Sequence, residues 1–247
     1  MTRPAVVIGV GGTGQWILTY LKKDLLELNG GVMPPNVRLI AFDTVSQAEA
    51  QKQVTGGIYS GEQAMYEKAA KRIGTVELER DVELIHIGGD CFPLGQEIAR
   101  GEHPHLNWFD VDYWMNKAGL GRDNWILDRG AGRFRQFGLL AVYKDILGGQ
   151  VRSQILKKLP TVINEVLAKS DRGASFEVIV VGSVAGGTGS AMMIPFGVLA
   201  RKMCGDIPVR TRAIVVLPTA FSPGRPSAEL ELRGGAALRE LARAMMP

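Results

Sequence analysis

Two cysteines, three histidines and no apolar run of membrane-spanning length stand in this 247-residue chain. Cys91 and Cys204 lie far apart, with no C-x-x-C pair. That excludes a disulfide framework and a thiolate zinc site, and it predicts two ordinary buried thiols in a reducing compartment. The histidines are His86, His103 and His105. None accompanies a nucleophile motif, which excludes a serine–histidine–aspartate hydrolase arrangement. No stretch approaches the roughly 18 apolar residues of a membrane helix. The opening MTRPAVVIGVGGTG has too short an apolar run, broken by glycine, for a secretory signal. The expectation is a cytoplasmic protein with no membrane span. Net charge is small as well: 29 basic against 25 acidic residues leave +4 and no basic stripe, so nucleic acid is not an expected partner. Internal repeats, low-complexity tracts and an interdomain linker are all missing, which leaves one domain over 1–247.

What is present is apolar and periodic. Hydrophobic residues make up 46% of the chain, enough for a real core. Five short Val- and Ile-rich runs read as buried parallel strands: 5–10, 37–42, 82–87, 176–182 and 211–217. Helical segments are predicted at 14–28, 62–73, 135–147, 151–169, 189–204 and 227–245. In the first, Ile17, Leu18, Leu21, Leu25 and Leu28 form one apolar stripe. Pro160 should break or kink the fourth, or start a new helix there. Strands alternating with helices predict an α/β fold: a doubly wound, mainly parallel sheet with helices on both faces, Rossmann-like. Residues 88–134 lack clean periodicity and hold three of the four tryptophans, which marks an irregular insertion with short helices.

Two glycine-rich turns carry the chemistry. GVGGTG at 9–14 follows a strand and opens a helix, and it fits G-x-G-x-x-G through Gly9, Gly11 and Gly14. Asp43 ends the second strand, where an acid meets a ribose hydroxyl in dinucleotide sites. A dinucleotide-dependent or adenylate-forming enzyme would use this turn alone. GSVAGGTGSA at 182–191 is the second strand–turn–helix unit. Gly182 and Gly187 have the spacing of a Walker A loop, but Thr188 stands where its lysine belongs. Without that lysine, phosphate charge must be met by backbone N–H groups, a helix dipole, a metal ion and the hydroxyls of Thr188 and Ser190.

Here the sequence resembles a family. AGGTGSA at 185–191 is similar to the GGGTGSG phosphate loop of the tubulin/FtsZ superfamily, with Ala185 and Ala191 in place of its end glycines. GVGGTGQ, ending at Gln15, resembles that family's opening loop. DRGAGRFRQFG at 128–138 resembles its gamma-phosphate loop, AIVVLPTAF at 213–221 its ribose strand, and RGGAALRELARAM at 233–245 the start of its central helix. The wording is nearest to the divergent bacterial tubulin-like proteins. The resemblance implies a GTP- or GDP-binding domain with Mg²⁺, phosphates held by Gly11, Gly12, Thr13, Gly14, Gln15, Gly130, Ala131, Gly132, Ala185, Gly186, Gly187, Thr188, Gly189 and Ser190. It places ribose and base near Asp43, Phe221, Arg225 and Arg233. It implies head-to-tail self-association into cytoskeletal filaments, and GTPase activity completed by acidic residues of a neighbouring subunit. No version of that acidic loop is recognisable in these 247 residues, so catalysis by this chain alone is expected to be slow. The family's base-reading asparagine and ribose-contacting glutamate are not matched, with Arg233 and either Ser222 or Arg225 near their places. A tubulin-like scaffold that binds no nucleotide is the third reading.

Three further clusters stand out by residue type. His103, His105, Asp110 and Asp112 offer metal-ligand types, but Pro104 between the histidines marks an exposed turn, and no metal is expected. Trp108, Trp114 and Trp125 are expected to pack the insertion rather than form a contact surface. Arg129, Arg133 and Arg135 flank the 130–132 turn, where one could donate to a gamma-phosphate or all could lie on a solvated face.

Overall fold

The computed structural model describes residues 3–46, 71–128, 130–132, 134–169, 175–221 and 228–245. Five strands form one wholly parallel sheet, β1 (Ala5–Val10), β2 (Val37–Asp43), β3 (Leu84–His86), β4 (Phe176–Ser183) and β5 (Val209–Val216), in the order β3-β2-β1-β4-β5. The chain winds outward from β1 in one direction to β3, then returns to build β4 and β5 on the other side. The reversal lies between β1 and β4, and it is there that open parallel sheets form a crevice beyond their strand ends. Register carries this to the residue level. Val10 lies between Phe42 and Gly182, so Gly11, Asp43 and Ser183 emerge at one edge of the sheet.

Alternation along the strands explains the layering, because successive side chains point to opposite faces. Val6, Ile8, Val10, Ile40, Phe42, Val178 and Val180 face the larger core, and Val7, Leu39, Ala41 and Val181 face the smaller one. Helix α1 (Gly11–Leu28) covers the smaller core through Leu18. The larger core is closed by α3 (Arg135–Leu147), α5 (Gln154–Ala168) and α6 (Gly187–Met203). The remaining α-helices among the described residues are α2 (Phe92–Ala99), the single turn α4 (Gly149–Arg152) and α7 (Ala228–Met245).

The α/β class and the strands stand as expected, with local differences. β5 is not covered on both faces: Arg210, Thr211, Arg212 and Ile214 are exposed. It ends the sheet, and its only strand partner among the described residues is β4. The third strand is shorter than 82–87, because a turn through residues 81–83 precedes it. Leu28 does not share the buried stripe of α1; it is 82% exposed at the last residue of the helix. Residues 62–70 lie outside the described residues, and 71–73 are not helical. The 151–169 segment begins its helix at Gln154, where Ser153 caps it by accepting a hydrogen bond from Leu156 N at 2.9 Å. The helix runs on through Pro160 instead of breaking, held by the buried face of Ile155, Leu159, Val162, Ile163 and Val166.

The tryptophans of residues 88–134 do not all pack inward: Trp108 is 37% exposed, its ring 5.8 Å from that of Tyr143. Trp114 and Trp125 are buried and meet the Phe137 ring edge-on at 5.3 and 5.0 Å. Both cysteines are free and buried, and burial pushes the Cys91 thiol up to about 12.

Candidate functional site

Both glycine turns become helix N-termini at the sheet's switch point. α1 starts at Gly11 and α6 at Gly187, earlier than the sequence pattern suggests, so Thr188, Gly189 and Ser190 belong to the first turn of a helix. Neither terminus has a side-chain cap, and neither has an acidic residue in its first turn. No side chain of either first turn therefore competes with a ligand for the partial positive charge of these two ends. Gly11 has φ +68°, and a Cβ there would stand 3.0 Å from Gly189 N. The two turns touch at this point, and only glycine allows it.

A third loop closes the site. Gly187 N donates to Gly132 O at 2.9 Å, and a Cβ on Gly187 would lie 2.8 Å from Ala131 O. Thr44, the residue after β2, is the junction. Its Oγ1 lies 2.7 Å from Thr188 Oγ1 and accepts from Ala131 N at 3.1 Å. Together these loops enclose a cavity of about 250 Å³, lined chiefly by Gly11, Gly12, Thr13, Gly130 to Gly132 and Gly186 to Gly189. That is below the roughly 300–1,000 Å³ of whole small-molecule pockets and suits the phosphate portion of a larger ligand.

Other expected site residues take supporting places. Gly14 packs α1 on the sheet, where a Cβ would lie 2.7 Å from Gly9 C. Gln15 is buried, and its Nε2 donates to Asp43 Oδ2 at 2.5 Å. Ser190 Oγ donates to Gly186 O at 2.6 Å, inside its own helix. Ala185 N donates to Ser183 Oγ at 3.0 Å. Ala191 points away from the cavity and faces Gly138 of α3, so its methyl fills a helix–helix contact rather than the phosphate space. Asp43 lines the cavity, and its Oδ1 accepts from Thr44 N at 2.7 Å and Val45 N at 3.3 Å. Burial pushes its carboxyl above the ordinary range, with Lys71 pulling the other way.

Phe221 ends an exposed turn after β5, and the Arg233 guanidinium lies 5.8 Å from the centre of the Phe134 ring. Neither lines the cavity; Ser222, Arg225, Arg129 and Arg133 lie outside the described residues. Arg135 is turned elsewhere: its Nε donates to Ser190 O at 2.9 Å and its Nη2 pairs with Glu240 at 2.5 Å. His103 pairs with Glu97 at 2.9 Å, Asp110 accepts from Tyr113 N and Asp112 pairs with Lys117. No group of three metal-ligating side chains exists among the described residues.

Sequence reasoning missed Thr44, Ser183 and Lys71. Thr44 and Ser183 stand at strand ends beside residues the motifs did mark. Lys71 lines the cavity from a segment with no motif at all.

Fold and site define a doubly wound α/β domain with a glycine-lined crevice between two helix N-termini at the switch point. The family model described as Tubulin like matches residues 6–246, and the chain belongs to that family. A search of curated proteins finds no match to the sequence. Among solved structures the chain is similar to CetZ from Methanosaeta thermophila, at 14% identity and TM-score 0.49, covering 98% of this chain and 43% of that one. It is also similar to the GDP-bound monomer of CetZ1 from Haloferax volcanii, at 14% identity and TM-score 0.49, covering 97% of this chain and 48% of that one. TubZ from Bacillus thuringiensis serovar israelensis, solved as a GTPγS-form protofilament, matches at 14% identity and TM-score 0.40, covering 98% and 42%. The chain spans less than half the length of each of these proteins. No helix among the described residues is long and apolar enough to cross a membrane.

Proposed function

We propose that this domain binds a guanine nucleotide, GTP or GDP, with its phosphates in the crevice between β1 and β4. The observation that carries the reading is the contact of Gly11 with Gly189, which makes one cavity from two turns. A site using the first turn alone, as a dinucleotide or adenylate-forming enzyme would, leaves that junction unexplained. Gly11 to Thr13 and Gly186 to Thr188 line the phosphate side, while Gly14, Gln15, Ala185 and Ser190 hold those turns in place. Gly130 to Gly132, which line the same cavity, are the proposed sensor of a terminal phosphate. Phe221, Arg225 and Arg233 are the proposed ribose and base side, and the choice of guanine rests on family membership.

Mg²⁺ would accompany the triphosphate. A magnesium ion usually takes one or two carboxylates and leaves its other positions to phosphate and water. Asp43 is the one carboxylate lining the cavity among the described residues, which fits such an arrangement. Membership in the tubulin-like family further suggests head-to-tail self-association, a heterologous contact that extends into filaments, in a cytoplasmic, bacterial setting. Hydrolysis would draw on acidic residues from a neighbouring subunit, as family membership suggests, with Asp43 held in place by Gln15 and two backbone N–H groups.

The test is the nucleotide that co-purifies with the protein, followed by calorimetry with GTP, GDP, ATP and NAD. Guanine nucleotide binding at a 1:1 ratio is expected. Preferential NAD or ATP binding would replace the reading with the dinucleotide or adenylate one, and no binding at all would favour a nucleotide-free scaffold.

A further inference from the structure

We infer that Lys71 is the cation of the phosphate cavity, supplied from outside both glycine turns. The inference rests on the nucleotide reading above and names the side chain that makes that site selective for polyphosphate. A Cβ on Gly12 would meet Lys71 Cε at 3.4 Å and Nζ at 3.6 Å, so the ammonium lies directly over the first glycine turn. Among the described residues that line the cavity, Lys71 is the sole cation and Asp43 the sole carboxylate.

Three further observations support a ligand-binding role. The Lys71 ammonium has no ion pair or hydrogen bond among the described residues, although Lys22, Lys117 and Lys23 all pair with carboxylates. Its backbone sits at φ +47°, a conformation few residues with side chains adopt. Its carbonyl accepts from Thr19 Oγ1 at 3.2 Å, and the same hydroxyl donates to Gln15 O at 2.9 Å. The root of Lys71 is therefore tied to α1, the helix that starts at the phosphate turn. The long side chain is left to move.

Charge gives this placement its use. Asp43 alone would repel a phosphate, and Arg135 is committed to Ser190 and Glu240. Backbone N–H groups and helix ends supply partial charges only. A lysine over Gly12 adds a full charge to the same phosphates, as a P-loop lysine does, but from a different part of the chain. The dependence on Lys71 should grow with the number of phosphates.

The test is calorimetry of guanosine, GDP and GTP with the wild type, Lys71→Met and Lys71→Arg, with the thermal midpoint of each variant as a folding control. The side chain makes no hydrogen bond among the described residues, so both variants are expected to fold. Lys71→Met should weaken GTP binding roughly 10- to 100-fold, the range of one charged hydrogen bond. GDP should suffer less, guanosine, which has no phosphate, not at all, and Lys71→Arg should keep most of the GTP affinity. Wild type and Lys71→Met binding GTP alike would overturn the inference while leaving the nucleotide reading intact. Equal losses in the two variants would also overturn it, since shape and not charge would then be at work. A wild type that binds no nucleotide removes both readings.

Discussion

Thr44 and Thr188 face each other across the crevice with their hydroxyl oxygens 2.7 Å apart, joining the end of β2 to the first turn of α6. Thr44 is fully buried, and the same oxygen accepts from Ala131 N. One hydroxyl thus holds three chain segments at the distances that define the cavity. Thr44→Val keeps the shape but strands Ala131 N and Thr188 Oγ1. A stability loss of about 1–3 kcal/mol is expected from buried groups left without a partner. Urea unfolding measures it, and Thr44→Ser should restore most of the loss. A Thr44→Val protein as stable as the wild type would show that the junction is not needed.

Adjacent glycines should respond oppositely to a methyl group. At Gly187 a Cβ would meet Ala131 O at 2.8 Å and Gly132 O at 3.0 Å, whereas at Gly186 it would meet nothing within 4 Å. Gly187→Ala is expected to cost about 1–3 kcal/mol through displacement of the third loop. Gly186→Ala, at an ordinary φ of −93°, should stay within about 0.5 kcal/mol of the wild type. Similar thermal midpoints for the two variants would contradict the packing described.

Asp43 makes stability depend on pH in a stated direction. Its carboxyl is held above the ordinary value of 3.8, chiefly by burial, so the folded chain binds the proton more tightly than the unfolded one. Stability is then highest below the ordinary carboxyl value and falls as pH rises through the raised folded value. Asp43→Asn removes this contribution. Unfolding free energies measured from about pH 4 to pH 8 should show the wild type losing ground to the variant as pH rises. Parallel curves would mean that the buried carboxyl is not the titrating group.

Thr188→Arg tests the cavity itself. Thr188 is 8% exposed and lines a space of about 250 Å³, which an arginine side chain would largely fill. GTP affinity should fall at least about 100-fold, read by calorimetry. An unchanged affinity would place the nucleotide elsewhere. Gly11→Val should act similarly, because the first turn shares the cavity with the second.

The strands and glycine turns were legible because their signals are local. A Val- and Ile-rich run of six to eight residues reads as a strand wherever it lies, and GVGGTG between such a run and a helix reads as a phosphate turn. Helix starts were read late because a glycine turn continues smoothly into the helix it opens. Gly14 looked like a phosphate ligand because it stands inside a motif, but which side of a helix faces the sheet is settled by packing partners such as Gly9. β5 looked buried because its apolar content is that of a central strand, and only its position at the sheet edge exposes it.

The sequence by itself determined an α/β chain with two glycine turns, each at the carboxyl end of an apolar strand, and the lack of a Walker lysine in the second. Those features depend on neighbours in the chain. Strand order decided the rest. Placing β1 between β2 and β4 brings Gly11 against Gly189, Thr44 against Thr188 and Asp43 against Gln15, pairs separated by up to 178 residues. Lys71 reaches the same cavity by the route of the fold alone, since no spacing in the chain connects it to either turn.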